Sequence, residues 1–263
     1  MKIAVVGKGG VGKTTLTSLL ACHWAERGRP VLAIDADPSP CLGPALGFPQ
    51  EKMLALKPIA DMKELIAERT GTTEQAAGAF FKLNPKVSDL PQRFSQVHEG
   101  VRLLLLGAVQ QGGAGCICPA SAMLKALVRH VLLARDEVVL LDLYAGVEHL
   151  GRGTAEAVDA MVAVAEPTHR SLRTVAQIKV LAADIGVTRL MLVGNKVTSD
   201  ADRRFFEENS PGLPVIGFLD ASAAATTADR SGHPLYRLDQ TIATSVAAIA
   251  TELERRTSIS AAN

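Results

Sequence analysis

The segment Gly7-Lys8-Gly9-Gly10-Val11-Gly12-Lys13-Thr14-Thr15 restricts the possible folds of this chain more than any other feature. It sits between a short apolar run, Ile3–Val6, and a helical pattern over Thr14–Arg27. The pattern G-x-x-x-x-G-K-[ST] in that strand–loop–helix setting marks a phosphate-binding loop. Glycines let successive backbone N–H groups converge on phosphate oxygens, and the helix N-terminus adds partial positive charge. Lys13 is placed to bridge the β- and γ-phosphates, and the Thr14 hydroxyl to hold Mg²⁺. Gly9, Gly10, Val11, Gly12, Lys13, Thr14 and Thr15 together predict a site for ATP or ADP. A Gly-rich turn without nucleotide is the plain alternative, and the flanking strand and helix argue against it.

The rest of the chain repeats the alternation that this loop begins. Apolar runs at Val31–Ile34, Val101–Leu106, Val138–Leu141, Met161–Ala165, Leu190–Val193 and Val215–Phe218 follow Ile3–Val6 as candidate strands. Most are uninterrupted, as in strands covered on both faces. Helical patterns over Pro119–Ala134, Leu172–Ile185 and Ile242–Arg256 lie between or after them. This alternation predicts an α/β fold: a mainly parallel sheet of about seven strands with helices on both faces. Residues 43–100 break the rhythm with several Pro and Gly and no convincing strand, which predicts a mainly helical insertion. We expect one domain over 1–263, with a frayed polar tail at Thr257–Asn263.

Composition narrows the partners. Hydrophobic residues make up 48% and aromatics only 4%, a core of Ala, Val, Leu and Ile that suits a buried parallel sheet. Lys and Arg number 28 against 27 Asp and Glu, and this balance argues against bulk-charge binding to nucleic acid or an anionic membrane. No apolar stretch approaches the roughly 18 residues of a membrane span, and none resembles a secretion signal. The chain is therefore expected in the cytoplasm, where thiols stay reduced and cysteine clusters bind metal or catalyse.

Three carboxylates fall where an open α/β sheet places its ligands. Asp35 and Asp37, in Asp35-Ala36-Asp37-Pro38, follow the second predicted strand, and Asp142 ends the run Val138–Leu141. Each one alone is equally a turn or cap residue. Asn195-Lys196 follows the run Leu190–Val193. Gly115-Cys116-Ile117-Cys118-Pro119 follows the third predicted strand, and Pro119 suits the first position of a helix. Cys118 then lies near a helix N-terminus, which favours the thiolate, the form that ligates metal. Two thiolates do not complete a four-coordinate site, but a two-fold dimer supplies four. An inert pair and a small strained disulfide are the competing readings. Cys22 reads as a small core residue, and Cys41 has no assignment.

The loop K-G-G-V-G-K-T-T resembles the deviant Walker A motif of the MinD/ParA/nitrogenase-iron-protein class. That resemblance implies a P-loop NTPase fold in which Lys8 reaches across a dimer interface to the partner's nucleotide. It also implies that Asp37 acts on the attacking water, Asp35 supports the Mg²⁺ and phosphate region, Asp142 holds a Mg²⁺-bound water, and Asn195 reads the adenine edge. With D-A-D-P, G-x-G-C-x-C-P and Ala145-Gly146-Val147-Glu148-His149-Leu150-Gly151-Arg152-Gly153-Thr154, the chain resembles the CooC family, nickel-insertion ATPases that serve carbon monoxide dehydrogenase. This implies a homodimer that binds Ni²⁺ or Zn²⁺ through Cys116 and Cys118 of both subunits, with ATP hydrolysis driving delivery.

The sequence departs from the class at Tyr144, where an acidic residue is expected, and at Asp220-Ala221-Ser222, where Pro-x-Asp is usual. A lone histidine such as His149 is more often structural than ligating. An electron carrier like the nitrogenase iron protein is an alternative, but Leu143–Thr154 lacks the cysteine that family takes from this region. A membrane- or DNA-positioning ATPase is another, disfavoured by the near-zero charge and by the Ala-rich Ile242–Arg256 helix.

Overall fold

The computed structural model describes residues 1–72, 81–107, 119–133, 137–144 and 157–258. The chain opens with β1 (Lys2–Val6), α1 (Lys13–Glu26) and β2 (Val31–Ala36). Short helices follow: α2 (Leu42–Ala45), α3 (Gln50–Leu54), α4 (Lys63–Thr70) and α5 (Leu90–Arg93). Next come β3 (Ser95–His98), β4 (Val101–Leu105), α6 (Pro119–Leu133), β5 (Val138–Leu143) and β6 (Ala160–Ala165). The last part holds α7 (His169–Asp184), β7 (Leu190–Val197), α8 (Asp200–Asn209) and β8 (Val215–Asp220). It closes with α9 (Ala224–Ser231), α10 (Leu235–Leu238) and α11 (Gln240–Ser258).

The strands form one sheet in the order β3-β4-β2-β5-β1-β6-β7-β8. Every neighbouring pair is parallel except β3 with β4. The central strands are buried along their whole length, as their unbroken apolar runs require. One face packs Leu104, Leu141 and Ala163 against Leu127 and Val131 of α6 and Val175 and Ile178 of α7. The other packs Val5, Leu140 and Val162 against Leu16 and Leu20 of α1 and Ile249 and Leu253 of α11. Because β1 pairs with both β5 and β6, the loop leaving β1 emerges at the middle of the sheet's C-terminal edge.

All seven expected strands are present, and the structure adds an eighth. β3 lies inside the stretch where the sequence shows no strand. It is a four-residue edge strand, antiparallel to β4, with little apolar content to betray it. Its turn, Glu99-Gly100, has φ of 47° and 81°. Positive φ at both central residues is the twist-matched hairpin geometry, but Glu is an uncommon first residue for it. The helix α11 runs through Thr257 and Ser258, where fraying is expected, and the Thr257 hydroxyl donates to the Leu253 carbonyl. Cys116, Cys118 and the segment Ala145–Thr154 lie outside the described residues.

Candidate functional site

The loop between β1 and α1 is shaped by two glycines that no other residue replaces. At Gly7, with φ of 148°, a Cβ would lie 2.5 Å from the Val164 carbonyl oxygen of β6. At Gly12, with φ of 97°, a Cβ would lie 2.1 Å from the Asn195 amide nitrogen. Val11 is buried and anchors the loop in the core beneath it. Lys13 opens α1 and is 8% exposed, and its Nζ donates to the Lys8 carbonyl at 3.3 Å. The loop thus carries the fold of an anion cradle, with its lysine folded back along it.

The carboxylates stand beside this loop. Asp35 and Asp142 are direct cross-strand partners on β2 and β5. Both are buried. The Thr14 hydroxyl donates to Asp142 Oδ2 at 2.6 Å. Asp142 Oδ1 is buried with no hydrogen-bond partner. Burial pushes the Asp142 carboxyl up to about 7, and the charge of Asp35 adds to this, against the Thr14 hydrogen bond. A hydroxyl and a carboxylate in contact, with an orphaned buried oxygen beside them, is a donor set that fits Mg²⁺. Mg²⁺ held there by Thr14 and Asp142 would supply positive charge against the nucleotide phosphates.

Asp35 does a different job. Its Oδ1 accepts the Asp37 N–H at 3.0 Å and its Oδ2 accepts the Leu42 N–H at 2.9 Å. It therefore shapes the loop that carries Asp37, and desolvation raises its pKa. Asp37 is half-buried, with Oδ1 accepting the Ser39 N–H at 2.8 Å.

On the other flank, Asn195 and Lys196 lie near the end of β7. Asn195 is buried, and its Nδ2 donates to the Val11 carbonyl at 2.7 Å. Lys196 Nζ donates to the Gly10 carbonyl at 2.8 Å and pairs with Glu166 Oε1 at 2.5 Å. Glu166 directly follows β6.

Residues 2–235 match the CobQ/CobB/MinD/ParA nucleotide binding domain. Over 238 residues, 90% of each chain, the sequence is 46% identical to the carbon monoxide dehydrogenase accessory protein CooC of Rhodospirillum rubrum. This chain belongs to the CooC family. An ATP-binding protein of Methanocaldococcus jannaschii is 40% identical over 89% of this chain and 91% of its own length. The fold is shared with MinD in the MinC:MinD complex of Aquifex aeolicus, at a TM-score of 0.68 and 19% identity over 95% of this chain and 94% of that one. It is shared too with a putative plasmid partition protein of Borrelia burgdorferi bound to AMPPNP, at 0.69 and 12% identity over 97% and 99%. The CooC-family chain is therefore a P-loop ATPase of the MinD/ParA type.

For this CooC-family ATPase the structure gathers Lys8, Lys13, Thr14, Asp35, Asp37, Asp142 and Asn195 at one edge of the sheet. It adds Lys196 and Glu166, which the sequence shows only as neighbours of Asn195 and Pro167. A lysine directly after that asparagine was the available signal. Asp220 pairs with Arg203 of α8, and the Ser222 hydroxyl donates to Asp239. The departure from Pro-x-Asp is thus absorbed by a surface ion pair and a turn. Burial pushes the Cys22 thiol up to about 12, which agrees with an inert core cysteine. Cys41 lines a cavity of about 370 Å³ with Thr14, Ser18, Asp229 and His233. Among the described residues no group of three or more His, Cys, Asp or Glu side chains is placed to hold a metal ion. Nor is any described helix long and apolar enough to cross a membrane.

Proposed function

We propose that this chain is a nucleotide-controlled homodimer that delivers nickel to carbon monoxide dehydrogenase. The observation that carries the proposal is the 46% identity, over 90% of both chains, to a carbon monoxide dehydrogenase accessory protein. The residues support it in detail. Lys13 and the loop N–H groups would hold the phosphates of ATP, Thr14 would hold Mg²⁺, and Asp142 would hold a water bound to it. Asp37 orients the water that attacks the γ-phosphorus, and the bond from that phosphorus to the ADP oxygen breaks. Lys8 from the partner subunit stabilises the charge on the transferred phosphoryl group and on the leaving ADP oxygen. Cys116 and Cys118 of both subunits bind one Ni²⁺ or Zn²⁺ as cargo, through four thiolates.

The test is elemental analysis of anaerobically purified protein, with its mass in solution. Cys116→Ala/Cys118→Ala should lose stoichiometric metal and the metal-dependent dimer, and keep wild-type ADP affinity. Unchanged metal content in that variant removes the cysteine pair from the site. Failure of the wild-type chain to support nickel loading of carbon monoxide dehydrogenase, with ATP present, removes the delivery role.

A further inference from the structure

A loop that binds phosphate through its N–H groups must hold its carbonyl oxygens away from the anion. Val11 achieves this partly by burial. The tip of the loop has no such support: a Cβ added at Gly9 or Gly10 would meet nothing within 4 Å. There the backbone is held instead by Lys196, whose ammonium takes the Gly10 carbonyl at 2.8 Å. The next carbonyl, that of Val11, is taken by Asn195. Two successive donors at the end of β7 thus pin two successive carbonyls of the loop.

The backbone is bent to make this possible. The register of β7 against β8 shifts between Gly194 and Val197, so Asn195 and Lys196 sit on an irregularity that re-aims both side chains. Lys196 adopts φ of 58°, left-handed backbone that a residue with a Cβ seldom enters. Strain of this kind persists where surrounding structure enforces it, and it clusters at functional sites. Glu166 fixes the ammonium from the other side. Its own backbone is anchored, with its N–H donating to the Ser171 hydroxyl at 3.0 Å and its carbonyl accepting the Thr168 N–H at 2.7 Å.

We propose that Lys196 and Glu166 form a charge strap across the phosphate loop, with Lys196 a positioning residue that sets nucleotide affinity through the Gly10 carbonyl. The ammonium is engaged by the Gly10 carbonyl and by Glu166, so the proposal assigns it to the loop backbone rather than to the phosphates. The proposal rests on the loop being the nucleotide site, and the controls separate the two.

The experiment uses the full chain, with the Kd of ADP and the KM and kcat for ATP measured for Lys196→Asn, Lys196→Arg and Glu166→Gln. Asn accepts left-handed backbone but is too short to reach Gly10. Lys196→Asn should weaken ADP binding and raise the ATP KM by about tenfold or more, with kcat within about threefold of wild type. Lys196→Arg should restore affinity to within about threefold. Glu166→Gln leaves the β7 backbone untouched, so it reports even if Lys196→Asn fails to fold, and it should weaken ADP binding in the same direction. Unchanged affinity in Glu166→Gln, a loss in kcat alone, or tighter ADP binding from the freed lysine overturns the strap. Lys13→Ala that still binds ADP overturns the nucleotide site itself.

Discussion

Asp142 shows how a single residue ties the site to stability. It is 2% exposed, faces Asp35 across two strands, and keeps one oxygen without a partner. Its carboxyl titrates at about 7 in the folded chain, against about 3.9 in an unfolded one. Between those values the folded protein binds more protons than the unfolded protein, so stability falls as pH rises through that window. Asp142→Asn keeps the shape and an acceptor for Thr14 but removes the buried charge. The nucleotide-free variant should be more stable than wild type by about 1–3 kcal/mol at pH 8, with the gap closing at pH 5. Denaturant unfolding at the two pH values measures this. The same variant should lose Mg²⁺-dependent ATP hydrolysis by about 100-fold or more, because the carboxylate that fits the metal is gone. A site that costs stability when empty and regains it on binding is the usual balance at a functional carboxylate.

At the scale of elements, the parts that the sequence reveals are those whose burial is uniform. β1, β2, β5, β6 and β7 are covered on both faces, so their runs of Val, Leu, Ile and Ala announce them. β3 is half-exposed and carries Ser95, Gln96 and His98, so nothing in its four residues separates it from a loop. The cap of Asn195 on Val11 is hidden for another reason: the two residues are 184 positions apart, and only the assembled sheet brings them together. The seam between α1 and α11 is of this kind as well. Trp24 Nε1 donates to Glu254 Oε1 at 2.7 Å, and Arg29 pairs with the same oxygen at 2.6 Å. Beside it His23 is buried, with Nδ1 at 3.0 Å from Arg27 and 3.3 Å from the Tyr236 hydroxyl of α10. Burial, reinforced by the Arg27 charge, pushes the His23 imidazole down to about 4. The unfolded chain therefore binds the extra proton first, and stability is lost as pH falls from about 6.5 to about 4, by up to about 3 kcal/mol. His23→Gln should flatten the slope of unfolding free energy against pH in that window. An unchanged slope would show that another group carries it.

For the whole molecule, the proposed homodimer makes the site half of one. The described chain brings Lys13, Thr14, Asp37 and Asp142 to a single edge, while Lys8 lies half-buried beside the exposed tip of the same loop, with its carbonyl turned back to Lys13. A lysine in that position was legible in the sequence only through the resemblance it carries, since a single chain gives it no second phosphate to serve. If Lys8 acts on the partner's nucleotide, two defective chains should repair each other. In a heterodimer of Lys8→Ala with Asp37→Ala, the nucleotide on the Lys8→Ala chain keeps its own Asp37 and receives Lys8 from the partner. The other nucleotide lacks both. Equal mixing makes about half of the dimers mixed, each with one working site of two, so about a quarter of wild-type turnover should return. Each variant alone should bind ATP and hydrolyse it at less than about one hundredth of the wild-type rate. If Lys8 acts on its own subunit's nucleotide, both sites in the mixed dimer are dead and no activity returns. Steady-state ATP hydrolysis of the two purified variants, alone and mixed after a round of nucleotide-driven exchange, decides between the two arrangements.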